Sequence, residues 1–335
     1  MKSRHHVRTS MLVHGLACAL LAASPCAGQE STALYPASEL GRMSRVYGPN
    51  LQGLWDEDFL PHVTPDERRR AGAVSLRLPL VGIRRSPLEF YSDAEGHDVY
   101  LPISSVKFVD DMSVAFAHYE RRGCDKGVVS DYVAALRMQG DRIGGSPLEA
   151  LGIPDDALED HYVDDVSQKL LKSTIFFIAV HEYAHVMYQH RGYSDITAEQ
   201  AQQQETAADL YALEVMRRIA VPPIGLAYLF LIMSRLERSP GDFDSPEEYE
   251  DYLQQEATHP VSSLRLTKVA DALEANTEAF ARTQPDPSSA RSSLEWLVPQ
   301  LRQIADTLDD RQIRRLLAER GRTADVAALR TACTR

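Results

Sequence analysis

Cysteine is scarce in this chain, 4 in 335 residues, which is far below the density of a small scaffold stapled by disulfides. Basic residues are in the minority, Lys+Arg 36 against Asp+Glu 48 for a net charge of −12, and no long basic stripe offsets the balance. A protein that tracks phosphates shows the reverse, so nucleic acid is not expected as a partner. The apolar stretches at 11–23 and 224–236 are each shorter than the roughly 20 residues that span a bilayer. What remains is ordinary: 44% hydrophobic and 25% charged residues, the proportions of a soluble globular protein and not of a rod, a collagen-like chain or a disordered tail. The length suits one large domain or two ordinary ones.

The first residues read MKSRHHVRTS, then MLVHGLACALLAA, then SPCAGQE. A basic segment, a short apolar stretch and small residues at its end predict a secretory signal peptide over 1–28, and so an exported protein, periplasmic or secreted. A lipid anchor is disfavoured because Pro25 precedes Cys26. Cleavage removes Lys2, Arg4 and Arg8 and no acid, so −12 becomes −15. It also removes Cys18 and Cys26. Cys124 and Cys333 remain, either as a disulfide, as an even pair in an exported chain suggests, or as two separate thiols.

The rest predicts an α+β fold that is mostly α-helical. Residues 29–75, broken by Pro36, Pro49, Pro61 and Pro65, read as an extended arm or a few short helices wrapping the main body at 76–284. VSLRLPLVGI and PLEFYSDAEGHDVYLP read as strands with a turn at Asp93-Ala94-Glu95-Gly96. A helix follows from near Ser104. Long helices cover about 162–190, 198–219 and 260–281, with Pro222 and Pro223 stopping the second. The apolar stretch at 224–236 reads as a buried core helix, and 285–335 as a helical C-terminal extension. DVYLP, around Val99 to Leu101, fits equally an edge strand that pairs with an extended substrate and an ordinary sheet strand.

The chemistry is concentrated in STIFFIAVHEYAHVMYQH. His181 and His185 stand four residues apart, so on a helix they share one face and both imidazoles can reach one Zn²⁺ at about 2.0–2.1 Å. Glu182 lies about 100° further round, where a carboxylate takes a proton from a water that the metal has acidified. The next helix carries Glu205 and Asp209 at the same spacing, in QQQETAADLYAL. Glu205 is a candidate third ligand and Asp209 a candidate acceptor for the second N–H of a ligating histidine. A solvated helix face is the plain alternative for that pair.

HEYAH followed by ETAAD resembles the gluzincin metallopeptidases, and within them the HtpX-like family with BepA and the CAAX prenyl endopeptidases. The ExxAD motif is matched by Glu205, Ala208 and Asp209, His190 stands where the family's helix often carries a further histidine, and HPVSSLR matches a later His-Pro followed by an arginine. The likeness covers roughly residues 98–275. Nineteen residues separate His185 from Glu205, closer to the thermolysin spacing than to the HtpX-like one, so the link is trimmed to RGYSDITAEQ. The resemblance implies a zincin-like domain with a small sheet and one Zn²⁺ held by His181, His185 and Glu205. It further implies Glu182 as general base, His259 facing the metal as oxyanion stabiliser, and Arg265 on Asp209 or on the oxyanion. His190 lies beyond direct ligation and packs or hydrogen-bonds at the helix end.

The leading expectation is thus an exported zinc endopeptidase acting on peptides or unfolded protein, with no membrane span in the mature chain. A zinc-containing binding or chaperone-like module without turnover is the first alternative. A helical interaction protein with a chance motif is the second.

Overall fold

Side-chain caps start many, though not all, of the helices in this computed structural model, which describes residues 34–83, 86–257 and 259–333. The signal peptide expected over 1–28 lies outside these residues. The arm region is helical where described: α1 (Ala37–Gly53), a π-helical turn at Leu54–Phe59, a 3₁₀ turn, and α2 (Pro65–Ala71), which starts on a Thr64–Glu67 capping box. It is also part of the core. Phe59 meets Tyr183 edge-on, with ring centroids 4.9 Å apart, and Trp55 packs beside both.

Three short strands follow, β1 (Ser75–Arg77), β2 (Tyr91–Asp93) and β3 (Asp98–Tyr100), in the order β1-β3-β2. β1 runs parallel to β3, pairing Leu76 with Val99; β2 runs antiparallel to it, pairing Ser92 with Val99. The turn between β2 and β3 is fixed by Asp93, whose Oδ1 accepts from the amides of Glu95 and Gly96. β3 has a partner on each side, so Val99 to Leu101 is not the edge strand considered above. β2 holds the edge.

The remaining described elements are α3 (Ile103–Arg122), α4 (Gly127–Gln139), α5 (Pro147–Ala150), α6 (His161–Tyr188), α7 (Ala198–Arg218), α8 (Leu226–Leu236), α9 (Pro246–Gln255), α10 (Ser263–Ala281), α11 (Pro287–Leu308), α12 (Arg311–Thr323) and α13 (Val326–Arg330). The architecture is α+β and mostly α-helical, with one small sheet. No helix among the described residues is long and apolar enough to cross a membrane.

α6 organises the rest. Its residues 173–187 are buried on every face, the pattern of a helix that runs through a core. α3, α7 and the strands β2 and β3 all pack on it. Burying one such phenylalanine contributes about 1.5–3 kcal/mol, and Phe177→Ala would cost about 3–5 kcal/mol. α8 can start against α6 because Gly225 has no side chain: a Cβ there would come 2.9 Å from the Leu170 carbonyl oxygen. The C-terminal helices close the other side, α11 on α10 and α12 on α4. Arg314, 2% exposed, fastens α12: its Nε donates to Asp242 at 2.9 Å, its Nη1 to the Ser234 carbonyl and its Nη2 to the Glu237 carbonyl. Cys124 and Cys333 form a disulfide, with Cα atoms 5.5 Å apart.

Candidate metal centre

Three helices deliver the polar residues to one buried point. α6 brings His181, Glu182 and His185 on its last turns and ends at Gln189, whose left-handed conformation (φ 55°) turns the chain away. The start of the link is tied to α7 by a reciprocal pair: Arg191 N donates to Gln204 Oε1 at 2.9 Å, and Gln204 Nε2 donates back to Arg191 O at 3.0 Å. A Thr197–Gln200 capping box then starts α7 and sets Glu205 and Asp209 one turn apart, both 0% exposed. Ser262 caps α10 by accepting from Arg265 N, which places His259 just before the helix and Arg265 in its first turn.

His181 Nε2 and His185 Nε2 stand 3.0 Å apart. Glu205 reaches both, Oε2 to His181 Nε2 at 3.5 Å and Oε1 to His185 Nε2 at 3.3 Å, and His259 Nδ1 lies 3.3 Å from Glu205 Oε2. One ligand atom from each of these four residues lies within 4.8 Å of all the others. Ligand atoms around a tetrahedral ion bound at 2.0–2.1 Å stand roughly 3.3 Å apart. The cluster thus has the dimensions of a metal cage and could hold an ion.

Outside the cluster, His181 Nδ1 lies 2.8 Å from Asp209 Oδ1, a close charge contact that is not aligned as a hydrogen bond. Arg265, given two alternatives by the sequence, takes Asp209: Nε and Nη2 donate at 2.6 and 2.9 Å. It also reaches Glu205, with Nη1 2.8 Å from Oε2. His190 is at the helix end, its Nδ1 2.9 Å from His185 Nδ1. His259 Nε2 faces both Phe90 O at 2.9 Å and Glu182 Oε1 at 3.0 Å.

Two features were not read from the sequence. Tyr193, in the short link, donates a short hydrogen bond from Oη to Glu205 Oε1; as the single aromatic residue of RGYSDITAEQ it was a visible signal. The Phe90 carbonyl on His259 had none, because it depends on how the chain enters β2.

Charge and hydrogen bonding make the centre a demanding one. Burial pushes the Glu182 carboxyl up, but His259 beside it, then His181 and His185, outweigh this and hold it down at about 2. Glu205 is likewise raised by burial but held well below the usual carboxylate range by Arg265, His259 and its histidine contacts. Burial and the Glu205 charge push the Tyr193 phenol well up. Three buried carboxylates, Glu182, Glu205 and Asp209, therefore meet, among the described residues, one permanently charged side chain, Arg265. Buried charge of this kind needs compensation; the carboxylates push His259 and His181 toward their charged forms, and a bound cation could take over that role. Glu182 Oε2 is buried without a hydrogen-bond partner. Beside it is a cavity of about 30 Å³ lined by His181, Glu182, His259 and Arg265 and by apolar side chains that include Phe90 and Phe177, room for one water molecule.

Residues 149–283 match the family model of Peptidase U49, a stretch that holds His181, Glu182, His185, Tyr193, Glu205, Asp209, His259 and Arg265 but not Phe90. The match supports a peptidase family, and with it a proteolytic activity on a peptide or protein substrate. No curated protein and no solved structure matches the chain.

Proposed function

We propose that the protein is an exported zinc endopeptidase of the gluzincin type, most like the HtpX and BepA group. The observation that carries the reading is the convergence of His181, His185 and Glu205 on one buried point, with His259 facing them and Glu182 beside it. Two imidazoles and a carboxylate suit zinc and leave a coordination position open, as a catalytic site requires. When bound, the ion supplies a Lewis acid that polarises the scissile carbonyl and acidifies an adjacent water.

The chain's own residues do the rest. Glu182 presents an unpartnered Oε2 to the cavity; it accepts a proton there and delivers it to the leaving nitrogen. His259, with Nε2 3.0 Å from Glu182 Oε1, donates to the carbonyl oxygen as that oxygen becomes negative. Arg265 and Asp209 hold His181 and Glu205 in place. β2 pairs with β3 on one side and, among the described residues, with no strand on the other. That edge, directly after Phe90, offers backbone groups to an extended peptide. A purely structural metal site has no use for Glu182, which speaks against the binding-module alternative. Export rests on the signal-like 1–28 segment.

Elemental analysis of the purified protein tests the metal assignment. The reading predicts one zinc per chain, lost in Glu205→Gln. A metal-free wild type that takes up none on addition of zinc would contradict it.

A further inference from the structure

The short connection between α6 and α7 contributes a side chain that neither metal-binding motif contains. Tyr193 opens the one-turn 3₁₀ segment Tyr193–Asp195, and its hydroxyl donates to Glu205 Oε1. Arg265 Nη1 lies 2.8 Å from the other oxygen, Oε2. Each oxygen of the same carboxylate therefore has a donor on its own side, with His259 Nδ1 3.4 and 3.3 Å from the two, and rotation of the group about its terminal bond is restrained. We infer that Tyr193 is a positioning residue of the metal centre, fixing the Glu205 carboxylate in register with His181 and His185 before an ion arrives. The inference rests on the reading of Glu205 as a ligand and assigns it a support that the HExxH and ExxAD patterns do not carry.

The chemistry favours a phenol in this place. A carboxylate offers about four lone-pair directions, so it can accept from two donors and still face a cation. A second lysine or arginine on Glu205 would cancel the charge that attracts the ion. Tyr193 donates a hydrogen bond without adding charge, so the excess of buried carboxylate over Arg265 is preserved. An ordered partner of this kind orients a ligand and raises its affinity for metal.

The fold delivers the hydroxyl by keeping the link short and clamped. Gln189 reverses the chain at the end of α6, and the reciprocal Arg191–Gln204 bonds tie the link to the turn of α7 that precedes Glu205. α9 packs against the Tyr193–Asp195 segment. The short His185-to-Glu205 spacing thus has a consequence at the site: the link itself supplies part of the ligand support.

The test is zinc binding by the full chain after metal removal, measured by competition with a chromophoric chelator. It is paired with the absorption spectrum of the cobalt form and with the melting temperature of the metal-free protein. Tyr193→Phe, which deletes one hydroxyl, should weaken zinc affinity about 10–100-fold and alter the cobalt spectrum, with the melting temperature of the metal-free form unchanged. Gln204→Ala, which frees the link without touching either residue, should weaken affinity in the same direction and keeps the test decisive if Tyr193→Phe does not fold. Wild-type affinity and an unchanged cobalt spectrum in these variants would overturn the role of Tyr193 while leaving the metal centre standing. A lowered melting temperature with wild-type affinity would also overturn it, because that is the mark of ordinary packing. No zinc binding by the wild type would remove the metal reading itself.

Discussion

Arg265 and Asp209 are joined by two charge-assisted hydrogen bonds, 2.6 Å from Nε to Oδ2 and 2.9 Å from Nη2 to Oδ1, with both side chains shut off from solvent. Among the described residues, Arg265 is also the one permanently charged cation that meets Glu205. Removing it strands two buried carboxylates. Arg265→Ala should destabilise the metal-free protein by about 3–5 kcal/mol, read from urea unfolding. A loss below about 1 kcal/mol, the level of a surface ion pair, would show that water reaches these groups.

Asp209→Asn addresses the metal more than the fold. The amide keeps the volume but removes the charge beside His181 Nδ1, 2.8 Å away. Zinc affinity should fall about 10–100-fold, measured by chelator competition. Wild-type affinity in this variant would mean that Asp209 serves Arg265 alone.

Much of the centre was legible in the sequence because helical spacing is a strong geometric statement. His181 and His185 at four residues' separation, and Glu205 and Asp209 likewise, can only face one way along their helices, and both pairs converge. The helix limits follow from caps and prolines in the same local manner: α7 starts on Thr197 and α10 on Ser262. What was not legible depends on contacts distant in sequence. β3 contains an alternating strand pattern, but its central place comes from pairing with β1 across an intervening loop. The Phe90 carbonyl meets a histidine 169 residues away. Residues 29–75 have weak periodicity, yet α1 and the turns after it become helical because Trp55 and Phe59 find Tyr183 and Phe176 to pack on. Tertiary burial decided there, as it does for helices of low intrinsic propensity.

The Cys124–Cys333 bond encloses a sequence separation of 209 residues and ties the C-terminal segment to the link between α3 and α4. Cys333→Ser should lower stability by about 2–5 kcal/mol, seen as a fall in melting temperature, with zinc affinity unchanged because no cysteine belongs to the metal cluster. The wild type under a reducing agent should behave in the same way. An unchanged melting temperature in both would contradict the pairing.

Asp111 gives a pH signature away from the metal. Burial pushes its carboxyl from 3.8 up to about 6, against the pull of Lys107 and of the Tyr35 hydroxyl, which donates at 2.8 Å. The folded chain therefore holds this proton more tightly than the unfolded chain. The stability due to Asp111 rises as pH falls through about 6 and levels off below 3.8. Relative to Asp111→Asn, the wild type should gain roughly 2–3 kcal/mol of unfolding free energy across that window, measured by urea titration at a series of pH values. A difference that does not vary with pH would contradict the assignment.

The central claim is that Glu182 and a bound zinc ion together cut peptide bonds, and the most direct measurement is hydrolysis of an unfolded protein such as casein by stripped and reloaded enzyme. The account predicts no cleavage after chelation, recovery with one equivalent of zinc, and loss of at least about 100-fold in Glu182→Gln loaded to the same zinc content. Cleavage that survives chelation, or a Glu182→Gln variant as fast as the wild type, would contradict it.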